Sequence, residues 1–253
     1  GFGTYQIQGE VCVSTVRTAL DAGYRLIDTA ALYDNEVEVG RAIRESGIPR
    51  EEIIVTTKIR GRNHGFDEAQ EACRESLRKL GLDYVDLLLI HWPNPMNDRY
   101  VELKDDGLTA QIGVSNFTPE TLERIIARTS VSPLVNQIEL HPYFQQEAMR
   151  ELHTKLGIQT ESWSPLGRKS NLMTDPVLVS IASEHGVTPA QAALRWNIQL
   201  GNIPIPKSTT PARIAENFDV FGFELNEGDM LALATLDRGA TLGTLDPNTS
   251  EIL

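Results

Sequence analysis

The sequence predicts a single α/β domain, a (β/α)8 TIM barrel of parallel strands, and three observations lead there. The chain has 253 residues, a standard size for one such barrel of about 250. Eight short β-rich runs recur, with amphipathic stretches between them, and right-handed crossovers then make neighbouring strands parallel. No Gly-, Ser- or Pro-rich linker divides residues 1–253, which are expected to form one domain.

The expected strands are Gly1–Tyr5 (incomplete), Tyr24–Asp28, Ile53–Thr57, Val85–Ile90, Gln111–Val114, Leu134–Glu139, Gln159–Trp163 and Ile203–Pro206. Between the first two, Cys12, Val16, Ala19, Leu20 and Gly23 repeat at the spacing of one helix face. Ala69, Ala72, Cys73, Ser76, Leu77 and Leu80 do the same, and Gly81 is a C-terminal stop. Thr118-Pro119 and Thr188-Pro189 read as helix N-caps followed by Pro at the first helical position, and Thr210-Pro211 repeats the pattern before Arg213–Val220. Between Pro93 and Ala110 only Tyr100–Asp106 can be helical, and its apolar face is thin. That is marginal cover for a barrel strand, so residues are expected to be missing at a junction near Glu102-Leu103.

Composition narrows the function. The apolar fraction of 41% and charged fraction of 23% suit a globular core. The net charge of −12 repels phosphate backbones, so no nucleic acid is expected as principal partner. The longest apolar run, Tyr84 to Trp92, contains Asp86 and stops at Pro93, which reads as a buried strand with no membrane span. Cys12 and Cys73 lack metal-ligand spacing and read as buried thiols of a reducing, cytoplasmic compartment. The chain opens at Gly1-Phe2-Gly3 with no signal peptide and no initiator Met, which suggests an absent N-terminal segment.

Polar residues at strand ends carry the chemistry. Side chains just past the C-terminal ends of barrel strands converge on one mouth, and here they are Asp28 and Tyr33, Lys58, His91, Ser115-Asn116, Gln137, Trp163 and Lys207-Ser208. Each alone has a bland reading as a helix cap, a solvated lysine, a core histidine or a packing tyrosine. Their shared rim is what those readings leave unexplained. A phenol titrates near 10, too high for easy proton release, and an adjacent ammonium is expected to lower that value. Asp28 would hold Lys58 charged and oriented, and His91 would hydrogen-bond a carbonyl oxygen beside the Tyr33 hydroxyl. The set suits polarising a carbonyl while a cofactor delivers hydride.

A cofactor site is legible too. Ser115, Asn116 and Gln137 can bind a carboxamide, and Trp163 offers a flat face to a planar ring. The turn Ser164-Pro165-Leu166-Gly167 can approach a pyrophosphate. Lys207, Ser208, Thr209 and Arg213, with Glu216 and Asn217 close behind, make an anion site at a helix start. No GxGxxG follows a strand, so no Rossmann site is indicated. His64, His141 and His153 lack ligand spacing and are expected in loops or on the surface, and no metal is expected.

Across nearly its whole length the sequence resembles the aldo-keto reductases, close to the bacterial 2,5-diketo-D-gluconate reductase-like group. The resemblance is carried by Gly1-Phe2-Gly3-Thr4-Tyr5, Gly23-Tyr24-Arg25-Leu26-Ile27-Asp28-Thr29-Ala30, Tyr33-Asp34-Asn35-Glu36 and Thr57-Lys58. It continues in Leu89-Ile90-His91-Trp92-Pro93, Ile112-Gly113-Val114-Ser115-Asn116-Phe117, Asn136-Gln137-Ile138-Glu139-Leu140-His141-Pro142-Tyr143, Ser164-Pro165-Leu166-Gly167 and Ile205-Pro206-Lys207-Ser208.

The resemblance implies a (β/α)8 barrel that binds NADPH/NADP+ and reduces a small carbonyl substrate, an aldehyde or ketone, to an alcohol. It makes Tyr33 the general acid, with Asp28, Lys58 and His91 completing a tetrad. It implies carboxamide contacts from Ser115, Asn116 and Gln137, ring stacking on Trp163, and a 2′-phosphate site at Lys207, Ser208, Thr209 and Arg213. Glu216 and Asn217 match the adenine site. Gly3, Thr4, Tyr5, Asp28, Ser164, Leu166 and Gly167 fall among the cofactor-contacting positions. Trp92, Tyr33 and His91 face substrate, with Phe2, Tyr5 and the Asp237–Leu253 tail shaping an apolar pocket. The family's N-terminal hairpin has no counterpart before Gly1, and relatives of this group are often monomers. One alternative is an NADPH-binding barrel serving as a non-catalytic structural or regulatory subunit. Another is a Schiff-base aldolase built on Lys58, which would need a depressed lysine pKa.

Overall fold

The computed structural model describes residues 1–60, 66–93 and 107–242. Eight parallel strands follow one another around a nearly closed barrel in sequence order. They are β1 (Phe2–Gly3), β2 (Leu26–Asp28), β3 (Ile54–Ile59), β4 (Val85–Ile90), β5 (Thr109–Ser115), β6 (Val135–Glu139), β7 (Gln159–Trp163) and β8 (Ile203–Ile205). The ring meets itself where the Gly3 N–H donates to the Pro206 carbonyl at 3.0 Å. The helices among the described residues are α1 (Gly9–Asp21), α2 (Glu36–Glu45), α3 (Phe66–Leu80), α4 (Pro119–Thr129), α5 (Glu147–Leu156), α6 (Pro176–Glu184), α7 (Pro189–Gln199), α8 (Pro211–Phe218) and α9 (Glu227–Ala234).

Local chemistry sets the helix ends. Thr118 and Thr188 form capping boxes with Thr121 and Gln191 at the starts of α4 and α7, each followed by Pro. Thr210 precedes Pro211 at the start of α8 but its side chain makes no cap, and the helix runs Pro211–Phe218, earlier than the Arg213–Val220 expected. Gly81 takes the left-handed conformation that ends α3. Gly40 is required by packing: a Cβ there would lie 1.8 Å from the Leu80 carbonyl oxygen, so α2 and α3 meet backbone to backbone.

Buried on both faces, the strands carry little of the polar–apolar alternation that marks a half-exposed sheet. All five residues of β6 are buried, yet its neighbours Asn136 and Gln137 point opposite ways. Asn136 bonds the backbone of Phe117 and the His153 ring nitrogen Nε2 on the helical side, while Gln137 reaches across the barrel interior. His153 is therefore no surface residue; it is buried in α5, and its Nδ1 bonds Thr160 at 2.8 Å. His141 is also buried, with Nε2 3.0 Å from Glu139 Oε1. Phe2 sits in the core against Tyr24, ring centroids 5.4 Å apart, and so does not line the mouth. Cys12 and Cys73 are buried and unpaired.

Glu139, at the end of β6, also accepts hydrogen bonds from the Thr241 hydroxyl and from the Leu242 N–H, fixing the chain there. The rest of the expected tail beyond Leu242, His64, the Tyr100–Asp106 segment and the Glu102-Leu103 junction lie outside the described residues. Among the described residues no helix is long and apolar enough to cross a membrane.

Candidate active site

Three strands and one turn bring the expected tetrad together. Asp28 ends β2 and Lys58 stands near the end of β3, where the Lys58 ammonium donates to Asp28 Oδ1 at 2.7 Å, to Oδ2 at 2.6 Å and to the Thr29 carbonyl at 2.9 Å. The lysine side chain is fully buried. Its Nζ lies 5.1 Å from the centre of the Tyr33 ring, whose edge meets the His91 ring at a centroid distance of 5.6 Å. His91 follows β4 directly.

Tyr33 comes from a short 3-10 turn, Ala31–Tyr33, and several ties hold that turn. Asn35, fully buried, donates to the carbonyls of Thr4 and Ile7 and accepts from the Thr29 hydroxyl. Gln8 donates to the Tyr33 carbonyl, and Arg60 to that of Ala31. Thr4 donates to the Asp28 carbonyl. These polar bonds fix a loop that has no sheet partner of its own.

The electrostatics differ from expectation at the phenol. Burial pushes Tyr33 up to about 12; the charge and hydrogen bonding of Lys58 pull it down but do not win, and Asp28 adds to the rise. The expected lowering below the ordinary value is thus corrected: desolvation outweighs the ammonium. Burial works against the charge on Lys58, but Asp28, together with Tyr33 and Glu161, outweighs it, and the lysine is raised above its ordinary value. His91 is driven well below the usual histidine value, first by burial and then by Lys58 and Arg60, so its ring is neutral.

The expected cofactor positions cluster on the far rim. Trp163, partly buried, donates from Nε1 to Asn116 Oδ1 at 2.8 Å. Asn116, with φ +62°, donates to the His91 carbonyl and to Ser115 Oγ, which in turn donates to the Gln137 carbonyl. Gln137 Nε2 donates to Asp28 Oδ2 at 2.8 Å and to Glu161 Oε2 at 3.0 Å. Ser164 begins a tight turn at φ +51°, closed by the Gly167 N–H donating to its carbonyl, and Leu166 is half-buried there. Gly167 itself sits at φ +69°, where a Cβ would be 2.7 Å from Ser170 Oγ. Tyr5, 43% exposed, leans edge-on against Tyr33 at 5.1 Å, and Trp92 is partly buried after His91.

Lys207, Thr209 and Arg213 are exposed around the start of α8, and neither cation has an acidic partner among the described residues. Ser208 Oγ accepts from the Thr210 N–H. Glu216 is tied to α7 by the Thr188 hydroxyl at 2.9 Å. Asn217 is buried and lines a cavity of about 230 Å³ with Tyr24, Pro204 and Phe218. No group of three or more His, Cys, Asp or Glu able to hold a metal occurs among the described residues.

The family model described as "Aldo/keto reductase family" matches residues 1–238. The chain belongs to the aldo/keto reductase family. This aldo-keto reductase is 51% identical to 2,5-diketo-D-gluconic acid reductase B of a Corynebacterium species, covering 99% of this chain and 93% of that one. It is 52% identical to an aldo-keto reductase of Mycolicibacterium smegmatis, over 98% and 92% of the two chains. Among solved structures, an aldo-keto reductase from a Medee basin deep-sea metagenome library superposes with a TM-score of 0.94 at 40% identity, covering 96% and 93%. A mutant of Gox0644 in complex with NADPH superposes with a TM-score of 0.93 at 45% identity, covering 100% and 94%.

Sequence reading of this aldo-keto reductase missed Glu161. It is buried within β7, and burial, then the nearby Asp28 charge, push its carboxyl up to about 7. An acid between Thr160 and Ser162 in a strand carries no sign of which face it occupies, since both are covered. The one available signal was an acidic residue in the interior of a buried parallel strand, where apolar side chains are the rule.

Proposed function

We propose that this aldo-keto reductase transfers hydride from NADPH to an aldehyde or ketone, with Tyr33 as general acid and Asp28, Lys58 and His91 in support. The observation that carries the reading is the buried Lys58–Asp28 pair beneath the Tyr33 ring, with the neutral His91 ring at its edge.

The residues of the far rim fit a nicotinamide nucleotide. No hydrogen bond among the described residues reaches Gln137 Oε1, which leaves a carbonyl acceptor for a carboxamide N–H. Trp163 is only half-buried, which suits a ring-stacking role. Lys207 and Arg213 have no acidic partner among the described residues of a chain of net charge −12, and they lie beside a helix start without a side-chain cap, which suits a phosphate monoester. NADPH, when bound, supplies the hydride.

The protein's own groups do the rest. Tyr33 stays protonated across the neutral range and hands its proton to the carbonyl oxygen as charge develops there. The Lys58 ammonium, held by Asp28, stabilises the phenolate left behind. His91 Nδ1 is buried with no partner among the described residues. An orphaned lone pair costs less than an orphaned N–H, so the ring proton belongs on Nε2, where it can donate to the same oxygen. A Schiff-base role for Lys58 is disfavoured, because its environment raises the lysine pKa. Two buried free thiols suit a reducing cytoplasm, where we assign the enzyme as a monomer.

The test is the initial rate of NADPH oxidation with a ketoaldehyde such as methylglyoxal, repeated with NADH. Turnover that prefers NADPH supports the reductase and the anion site together. Absence of turnover with a range of aldehydes and ketones would overturn the catalytic reading.

A further inference from the structure

Opposite walls of the barrel are joined by one line of side chains: Glu161 on β7, Gln137 on β6, Asp28 on β2 and Lys58 on β3. The centre of that line is a single nitrogen. Gln137 Nε2 has two hydrogens, and each meets an oxygen of a buried acid, Asp28 Oδ2 at 2.8 Å and Glu161 Oε2 at 3.0 Å. The amide orientation is chemically determined, since a flipped amide would set its carbonyl oxygen against the Asp28 carboxylate. Gln137 and Glu161 are direct register partners in the β6–β7 ladder, so their side chains share the interior face.

We propose that Glu161 is a positioning residue that, together with Asp28, clamps the Gln137 amide so that only its carbonyl oxygen faces the cofactor site, making Gln137 a reader of the carboxamide N–H. The inference rests on the reading of the mouth as a nicotinamide nucleotide site. With Glu161 removed, Gln137 keeps one tether of two and its side chain regains rotamer freedom. A hydrogen bond to an acidic group is among the stronger side-chain bonds. Burying an acid in a barrel interior is also costly, so an apolar residue at 161 would be the choice for stability alone. Glu161 is 1% exposed, and its position is better accounted for by what it holds.

The experiment is calorimetric binding, independent of turnover. NADP+ is compared with its 3-acetylpyridine analogue, in which a methyl ketone replaces the carboxamide and no N–H remains to reach Gln137. Wild type is expected to bind NADP+ about tenfold more tightly, the worth of one such hydrogen bond. In Glu161→Met that preference falls to about threefold or less, and Glu161→Gln, which keeps a carbonyl acceptor at the same reach, restores it. Glu161→Thr, a β-branched residue suited to a strand, serves if the Met variant does not fold. Equal weakening of both nucleotides, or an unchanged preference, overturns the proposal by reducing Glu161 to a structural role. If wild type binds neither nucleotide, the nicotinamide reading itself has failed. If it binds both equally, Gln137 does not read the amide.

Discussion

Lys58 and Asp28 form a buried ion pair with both carboxylate oxygens within 2.7 Å of one ammonium, although 30 positions separate them in sequence. In the barrel they stand at or next to the ends of adjacent strands, and neither side chain has more than 5% exposure. A pair so placed is costly to break from one side, because the remaining charge has no water to turn to. Asp28→Ala or Lys58→Ala is expected to lower unfolding stability by about 3–5 kcal/mol. The double variant Asp28→Ala/Lys58→Ala should lose clearly less than the sum of the two single losses. Urea unfolding of the four proteins checks this; simple additivity would mean the two charges do not act as a pair.

Tyr33→Phe removes one hydroxyl and keeps the ring that packs on Tyr5 and His91. Turnover is expected to fall by about a hundredfold or more, the range that general acid catalysis supplies. NADPH affinity, read by quenching of tryptophan fluorescence, should stay within about twofold. Turnover at the wild-type level would remove Tyr33 from the role of acid.

Arg213→Ala should weaken NADPH binding by about tenfold or more and leave NADH nearly unchanged, since only the former carries a 2′-phosphate to meet the guanidinium. Titration of both nucleotides against wild type and variant gives the result directly. Equal weakening would move the 2′-phosphate site elsewhere.

Glu161 gives a stability prediction with a definite sign. The folded protein holds this proton up to about pH 7, whereas the unfolded carboxyl releases it near its ordinary value of 4.5. The unfolded state therefore binds fewer protons between those values, and stability falls as pH rises through the window. Glu161→Gln cannot titrate, so its melting temperature should exceed that of wild type at pH 8 and match it near pH 5. A difference that does not change with pH would mean the acid is not carrying a buried proton.

Much of this molecule was readable along the chain. The alternation of apolar runs with helix-periodic stretches, punctuated by Thr-Pro caps and Gly81, is local information, and Thr118, Thr188 and Gly81 behave as their residue types require. Strand ends follow from the same pattern, so Asp28, Lys58, His91 and Gln137 could be assigned to one rim before any contact was known. Thr210 has the residue type of a cap, yet its side chain makes no cap bond, and the turn before the helix is held instead by Ser208 Oγ accepting the Thr210 N–H.

What the sequence by itself determined, then, was the order of elements and the residue types delivered to the mouth. Tertiary structure decided how those residues bond and ionise. In a barrel both strand faces are covered, so periodicity does not say that Gln137 turns inward and Asn136 outward, or that His141 and His153 are buried among polar partners. Nor does it say that Glu161 would share Gln137 with an aspartate 109 positions before that glutamine. The Tyr33 phenol turned on the same distinction: a neighbouring ammonium can be anticipated from residue types, but the desolvation that outweighs it is a property of the closed fold.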